Sequence, residues 1–203
     1  MPILESLSAK DRKVLAERKQ QFLQNIDWDQ DMWVFGYGSL MWNPEFPHAQ
    51  QQRARIAGWK RSYCLYSHRY RGTLEAPGLV LGLEAGSYCD GVVLRLQKTH
   101  MKDIIAYLWD REMITGGYKP TWTEAKTIET SVKCLTFCIN DNHPQYAKGL
   151  GFTEKLGLIR GAVGERGPNR DYAIATYHKL GEMGLHCDEV IAIAEALLAE
   201  EAL

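Results

Sequence analysis

Glu112 is the residue whose surroundings in this sequence ask most plainly for a chemical explanation. In "THMKDIIAYLWDREMITGGYKP" apolar residues recur at helical spacing. Projection at ~100° per residue sets Met101, Ile105 and Leu108 within about 40° of one another, with Glu112 in the middle of the arc. A carboxyl group on an apolar face meets desolvation, and near a helix C-terminus it also meets the negative end of the helix dipole. Both disfavour its charge and raise its pKa. Such a group is a competent general base near neutral pH when a substrate proton lies within hydrogen-bonding reach. Two blander readings use the same residues: a helix that frays before Glu112, or a glutamate paired with Arg111. The "TGGYKP" that follows is a loop able to bend over a site.

A second stretch, "WVFGYGSLMW" from Trp33 to Trp42, breaks an apolar strand with Gly36, Gly38 and Ser39. It fits none of the familiar glycine motifs. A dinucleotide fingerprint would need glycine at 41, where Met41 stands, and a P-loop needs a lysine that is absent. A nucleophile elbow needs glycine two residues either side of its serine, where Tyr37 and Met41 stand, so Ser39 is a poor covalent nucleophile. What remains is a strand ending in a loop whose glycines can take positive φ and whose successive N–H groups can converge on an anion. An ordinary glycine turn is the competing reading.

The elements that must position these residues follow from periodicity. Leu15, Phe22, Leu23 and Ile26 share a helical face behind a capping box of Ser8 and Asp11. Short extended runs come next: "RARIAGWKRSYCLYS", "GLVLGLEAG", "CDGVVLRL", "WTEAKTIET" and "VKCLTFCI". Such spacing predicts a barrel or strongly curled antiparallel sheet. One helix interrupts it from about Thr99. The last third is helical again, with Leu156, Ile159 and Val163, then Ala173, Tyr177 and Leu180, then Val190, Ala194, Leu197 and Leu198 at helix spacing. The fold class predicted is α+β, read as a single domain over 1–203 with the first helix, about 8–27, as an appendage.

Composition narrows the partners. With 203 residues and a formal net charge of -1, the chain can bury a real core and carries no basic stripe for nucleic acid or anionic membrane. No signal-peptide core and no long apolar run is present, so a soluble cytoplasmic protein with small-molecule or protein partners is expected. The five cysteines (Cys64, Cys89, Cys134, Cys138, Cys187) suit free thiols. Cys134 and Cys138, four strand residues apart, are separated by roughly 13 Å. The six histidines show no ligand spacing, so no metal is expected. Trp33, Trp42, Trp59, Trp109 and Trp122 read as packing residues rather than a base-stacking platform.

Taken together, "VFGYGSLMWNPEF", "AGWKRSYCLYS", "RGTLEAPGLVLGL", "REMITGGYKPTW" and "GPNRDYA" resemble, in order and spacing, the ChaC family of glutathione-specific γ-glutamylcyclotransferases. The likeness spans about Trp33 to Tyr177. It implies a small, mostly antiparallel β-barrel with flanking helices, no cofactor, and cleavage of glutathione to 5-oxoproline and cysteinylglycine. By position, the family's substrate-binding loop falls on Val34, Phe35, Gly36, Tyr37, Gly38, Ser39 and Leu40, and its catalytic acid/base on Glu112. Tyr172 matches a pocket tyrosine and Arg71 an arginine placed to meet a carboxylate. The chain departs from the family pattern at Tyr70, where histidine is usual, and Leu74, where proline is usual. Other γ-glutamyl amino acids or γ-glutamylamines are alternative substrates, and a non-catalytic regulator of cation transport is the alternative outside enzymes. Oligomeric state is not legible.

Overall fold

The computed structural model describes residues 9–113 and 115–200. Five strands close into a barrel: β1 (Trp33–Gly36), β2 (His48–Ser67), β3 (Gly78–Leu96), β4 (Tyr118–Lys126) and β5 (Ser131–Ile139), in the order β1-β3-β2-β4-β5. All neighbours are antiparallel except β1 and β5, which run parallel with Trp33 opposite Cys134 and Val34 opposite Leu135. Closure rests on short seams: β2 meets β4 only at Arg55–Lys126 and Ile56–Ala125, and β1 meets β5 at two pairs.

The two runs expected on either side of Gly86 form one strand. β2 and β3 pair continuously over their length, and the ladder bends at a bulge between Ala57 and Trp59 instead of breaking. Gly58 sits there at φ +81°, a conformation that costs glycine nothing and other residues a good deal. The glycine and serine at 86 and 87, which look like turn residues in one dimension, lie across from this bend.

β2 changes character along its length. Its first half is largely exposed, with only Ala54 and Ile56 buried, whereas Arg61, Ser62, Tyr63, Cys64 and Leu65 are all buried. Both faces of that second half are covered, because the C-terminal helices pack against its outer side. These are α3 (Phe152–Gly161), α4 (Asn169–Glu182) and α5 (Asp188–Ala199). Lys155 of α3 is buried with its Nζ 2.7 Å from Ser62 Oγ and 2.9 Å from a Glu189 carboxylate oxygen of α5. Glu189 also accepts the Tyr63 N–H at 2.7 Å. One charged cluster thereby ties two helices to the barrel wall. Val163 does not continue α3: the helix ends at Gly161, and Val163 lies exposed in β6 (Val163–Gly164), a short hairpin partner of β7 (Gly167–Pro168). Apolar spacing overestimates the helix because the Gly161 and Ala162 backbone turns away into that hairpin.

α1 (Ala9–Gln24) lies against α2 (Met101–Glu112), with Phe22 and Trp109 rings 5.3 Å apart and Lys19 3.1 Å from Asp110. Ile26 is buried just beyond the end of α1, and Ser8 of the expected capping box lies outside the described residues. α2 buries Met101, Ile104, Ile105, Leu108 and Trp109, as its periodicity requires. Most of the barrel interior and the helix contacts form one apolar core, with Cys64, Leu65 and Ile139 in a second, smaller cluster. All five cysteines are free thiols, and burial pushes Cys89 and Cys138 up to about 11. Protonated at neutral pH, these two are fillers rather than nucleophiles.

Candidate active site

The barrel opens into a cavity of about 600 Å³ lined by Tyr37, Gly38, Ser39 and Leu40 on one side and by Glu112, Tyr118 and Phe137 at its base. Its opposite wall carries Tyr70, Arg71, Arg166, Asp171 and Tyr172. The volume is ordinary for a small-molecule site.

β1 delivers the glycine loop. Val34 and Phe35 are fully buried in the barrel, and neither they nor Gly36 line the cavity; they are the root from which Tyr37 to Leu40 project. The chain turns at Ser39–Met41, one turn of 3₁₀ helix. The expected positive φ is absent at Gly36 and Gly38, which fall outside the positive-φ residues. Glycine is required at 36 for proximity instead: a Cβ there would lie 3.1 Å from Leu40 Cβ and 3.3 Å from the Met41 nitrogen. At 38 a Cβ would meet only Leu81, at 3.8 Å, so glycine there keeps the cavity clear. The turn also leaves backbone donors unused. Its leading amides, Gly38, Ser39 and Leu40, have no acceptor among the described residues, as at the start of any helical turn.

The loop is clamped from behind. The buried Arg61 donates from Nε to the Tyr37 carbonyl at 2.6 Å and from an Nη to the Asp90 carbonyl at 2.5 Å. The Tyr37 hydroxyl donates to the Phe137 carbonyl at 2.9 Å. Together these fix both the backbone and the ring of Tyr37.

α2 delivers Glu112 from the other side, and the helix runs through to Glu112 without fraying. The side chain keeps 17% of its surface exposed, on the cavity. Desolvation holds its pKa above the ordinary carboxylate range, opposed by the Arg111 guanidinium, whose Nε lies 3.1 Å from Glu112 Oε1. Desolvation on an apolar face and pairing with Arg111, the two environments read for Glu112, are therefore both present, with desolvation the stronger effect. Tyr37 and Tyr118 are its electrostatic neighbours, and burial raises both phenols well above their usual range.

The pairing of Arg111 with Glu112 was among the sequence readings; its reach to the glycine loop was not. It donates to Ser39 Oγ at 2.7 Å across 72 positions of sequence, to Tyr107 Oη at 2.8 Å, and to the Asn43 carbonyl at 3.2 Å. One guanidinium thus spans the base and the glycine loop. The only hint in the sequence was its adjacency to Glu112.

On the far wall the Tyr172 hydroxyl accepts the Leu81 N–H at 3.3 Å, and burial raises its pKa. Arg71 lies over the Tyr172 ring at 5.3 Å and donates to the Arg166 and Pro168 carbonyls at 2.7 and 3.2 Å. The strongly exposed Leu74 stays off the cavity, whereas Tyr70 lines it. Among the described residues no group of side chains could hold a metal ion, and no helix is long and apolar enough to cross a membrane.

This barrel with its flanking helices is the γ-glutamylcyclotransferase-like fold. A crystal structure of a γ-glutamyl cyclotransferase specific to glutathione from yeast superposes with a TM-score of 0.74 at 19% identity, covering 84% of this chain and 99% of that one. The family of ChaC-like proteins matches residues 32–199, and the chain belongs to it. Similar relatives include a glutathione-specific γ-glutamylcyclotransferase of Escherichia coli K12, 34% identical over 83% of this chain and 75% of the relative. A glutathione-specific γ-glutamylcyclotransferase 1 of Danio rerio is 30% identical over 83% of this chain and 89% of the relative.

Proposed function

We propose that the protein degrades glutathione, cyclising its γ-glutamyl group to 5-oxoproline and releasing cysteinylglycine, with Glu112 as acid/base and Tyr37 to Leu40 holding the substrate. The observation that carries this reading is a desolvated carboxylate and a run of unpartnered amides facing one cavity. Family membership and the names of the relatives support the substrate.

The reaction is an internal aminolysis. The α-amine attacks its own γ-carbonyl; a lactam C–N bond forms and the bond to the cysteine nitrogen breaks. Of the three protons on the incoming ammonium, the lactam nitrogen keeps one and the leaving amine takes two. A single carboxylate can carry these in succession, accepting from one nitrogen and donating to the other. No enzyme nucleophile is needed, consistent with the buried, protonated Cys89 and Cys138 and a Ser39 engaged with Arg111. Holding amine and carbonyl together exploits the effective molarity of intramolecular reactions, which reaches ~10⁵ M or more when alignment is good. Negative charge grows on the γ-carbonyl oxygen, and an amide donor aimed at it contributes about 3 kcal/mol. The free amides of the loop suit either that oxygen or the substrate's α-carboxylate.

Purified protein incubated separately with glutathione, γ-glutamyl alanine and γ-glutamyl lysine should release 5-oxoproline from glutathione. Release from the other two alone would overturn the substrate. Glu112→Gln, nearly isosteric, is expected to lower kcat by about 10²-fold or more with the fold intact; turnover within a few fold of wild type would remove Glu112 from the mechanism.

A further inference from the structure

Resting on that reading, the far wall of the cavity says which leaving groups the site is built for. Glutathione carries two carboxylates, and the loop amides and Glu112 deal with the γ-glutamyl end. Arg166 lines the same cavity. Its backbone is fixed: the N–H donates to the Tyr70 carbonyl at 2.9 Å, and its own carbonyl accepts from Arg71 at 2.7 Å. The side chain is left with no structural duty of that kind. Its guanidinium lies 4.4 Å from the centre of the Tyr70 ring and makes no hydrogen bond or ion pair among the described residues.

Its neighbours are otherwise engaged. Arg69, on the same ring at 5.4 Å, is paired with Glu165 at 2.8 Å, and Lys179 with Glu182 at 2.7 Å. Arg71 is close enough for its charge and that of Arg166 to repel, while Asp171 on this wall acts on Arg71 in the attractive sense. Glu45 feels the field of Arg166 without pairing with it. Two neighbouring guanidiniums with no paired carboxylate, one of them 4.4 Å from the centre of an aromatic ring, are suited to a carboxylate.

We infer that Arg166, presented by Tyr70 and backed by Arg71, binds the free carboxylate of the leaving peptide. The enzyme then takes γ-glutamyl peptides that end in a carboxylate and discriminates against γ-glutamylamines and esters. Arg166 sets specificity; it takes no part in the proton transfers at Glu112.

The test is kcat/KM for 5-oxoproline release from glutathione and from its glycyl monoethyl ester, for wild type, Arg166→Gln and Arg166→Lys. Wild type is expected to prefer the acid by tenfold or more, a typical value for one charge-assisted contact at about 1.5 kcal/mol or above. Arg166→Gln should lose a similar factor on glutathione, chiefly in KM, and treat acid and ester alike. Arg166→Lys should recover most of the preference. Equal use of acid and ester by wild type, or an unchanged acid-to-ester ratio in Arg166→Gln, would overturn the inference while leaving the cyclotransferase intact. Failure of wild type to release 5-oxoproline from any γ-glutamyl compound would overturn both. Arg166 is exposed, so these variants should fold.

Discussion

At the scale of single residues, the raised pKa of Glu112 has consequences for rate and for stability, and they run in opposite directions with pH. As a base, Glu112 must be ionised, so the acid limb of kcat/KM should lie above the ordinary carboxylate range and vanish in Glu112→Gln. Arg111 pulls that pKa down, so Arg111→Gln should move the limb further upward as well as lower the rate, whereas a merely structural arginine would leave the limb where it was. For stability, the folded state holds the proton more tightly than the unfolded chain. The contribution of Glu112 is therefore full below the unfolded carboxyl pKa and lost as pH rises through the folded value. Glu112→Gln should accordingly melt at the same or a higher temperature than wild type at neutral pH, and a clear fall in Tm would contradict the desolvation argument. Glu112 was legible in the sequence because helical periodicity is local: an apolar face defined by Met101, Ile105 and Leu108 fixes where residue 112 points. Arg166 was not legible, since nothing near it in sequence specifies Tyr70 beneath its guanidinium.

At the scale of elements, the loop after β1 works only if its backbone is held. Gly36→Ala should push the Leu40 and Met41 backbone outward, because the added Cβ is tighter against them than ordinary contacts allow. The expected result is a drop of about tenfold in kcat/KM with a smaller effect on Tm, from displaced amide donors. Arg61→Met removes a buried cation from two carbonyls, those of Tyr37 and Asp90. Each charged hydrogen bond is worth about 1.5–3 kcal/mol, so denaturant unfolding should show a loss of roughly 3 kcal/mol. A neutral result would mean that Arg61 is not what anchors the loop. The sequence marks 36–40 as special through its glycines. The reason it suggested, positive φ, is not the one the fold uses, because the close approach of Leu40 to Gly36 exists only once the 3₁₀ turn has formed.

At the scale of the whole molecule, the helices at the C-terminal end are joined to the barrel by Lys155, Glu189 and Ser62 rather than by apolar contacts alone. Lys155→Met would leave the Glu189 carboxylate without its cation beside a buried serine. Breaking a buried pair costs ~3–5 kcal/mol, and about 2–3 is expected here because Glu189 keeps some contact with water. The cluster lies away from the cavity, so kcat should change little at a temperature where the variant is folded. A large loss of kcat without loss of stability would show that α3 and α5 do more than buttress α4, which carries Tyr172 and Asp171 into the cavity wall.

What the sequence by itself determined is what short-range order can encode. Period-two and period-3.6 apolar patterns placed most barrel strands and the helices, the glycines marked the loop, and the position of Glu112 on α2 implied a desolvated carboxyl. β4, however, starts at Tyr118, inside the expected "TGGYKP" loop, and ends at Lys126, short of the expected Thr130, because its pairing with β5 sets its ends. The fused β3 and the early end of α3 escaped the same reasoning, because Gly86 and Gly161 are neutral signals until a partner strand or a hairpin decides between bending and stopping. Tertiary structure alone decided the rest. Barrel closure through the parallel β1–β5 pair, the approach of Arg111 on α2 to Ser39, and the hydrogen bonds that hold the Arg166 hairpin to Arg69 and Tyr70 are tertiary facts. These contacts join residues many positions apart, and their geometry is set by the whole core rather than by any stretch of chain.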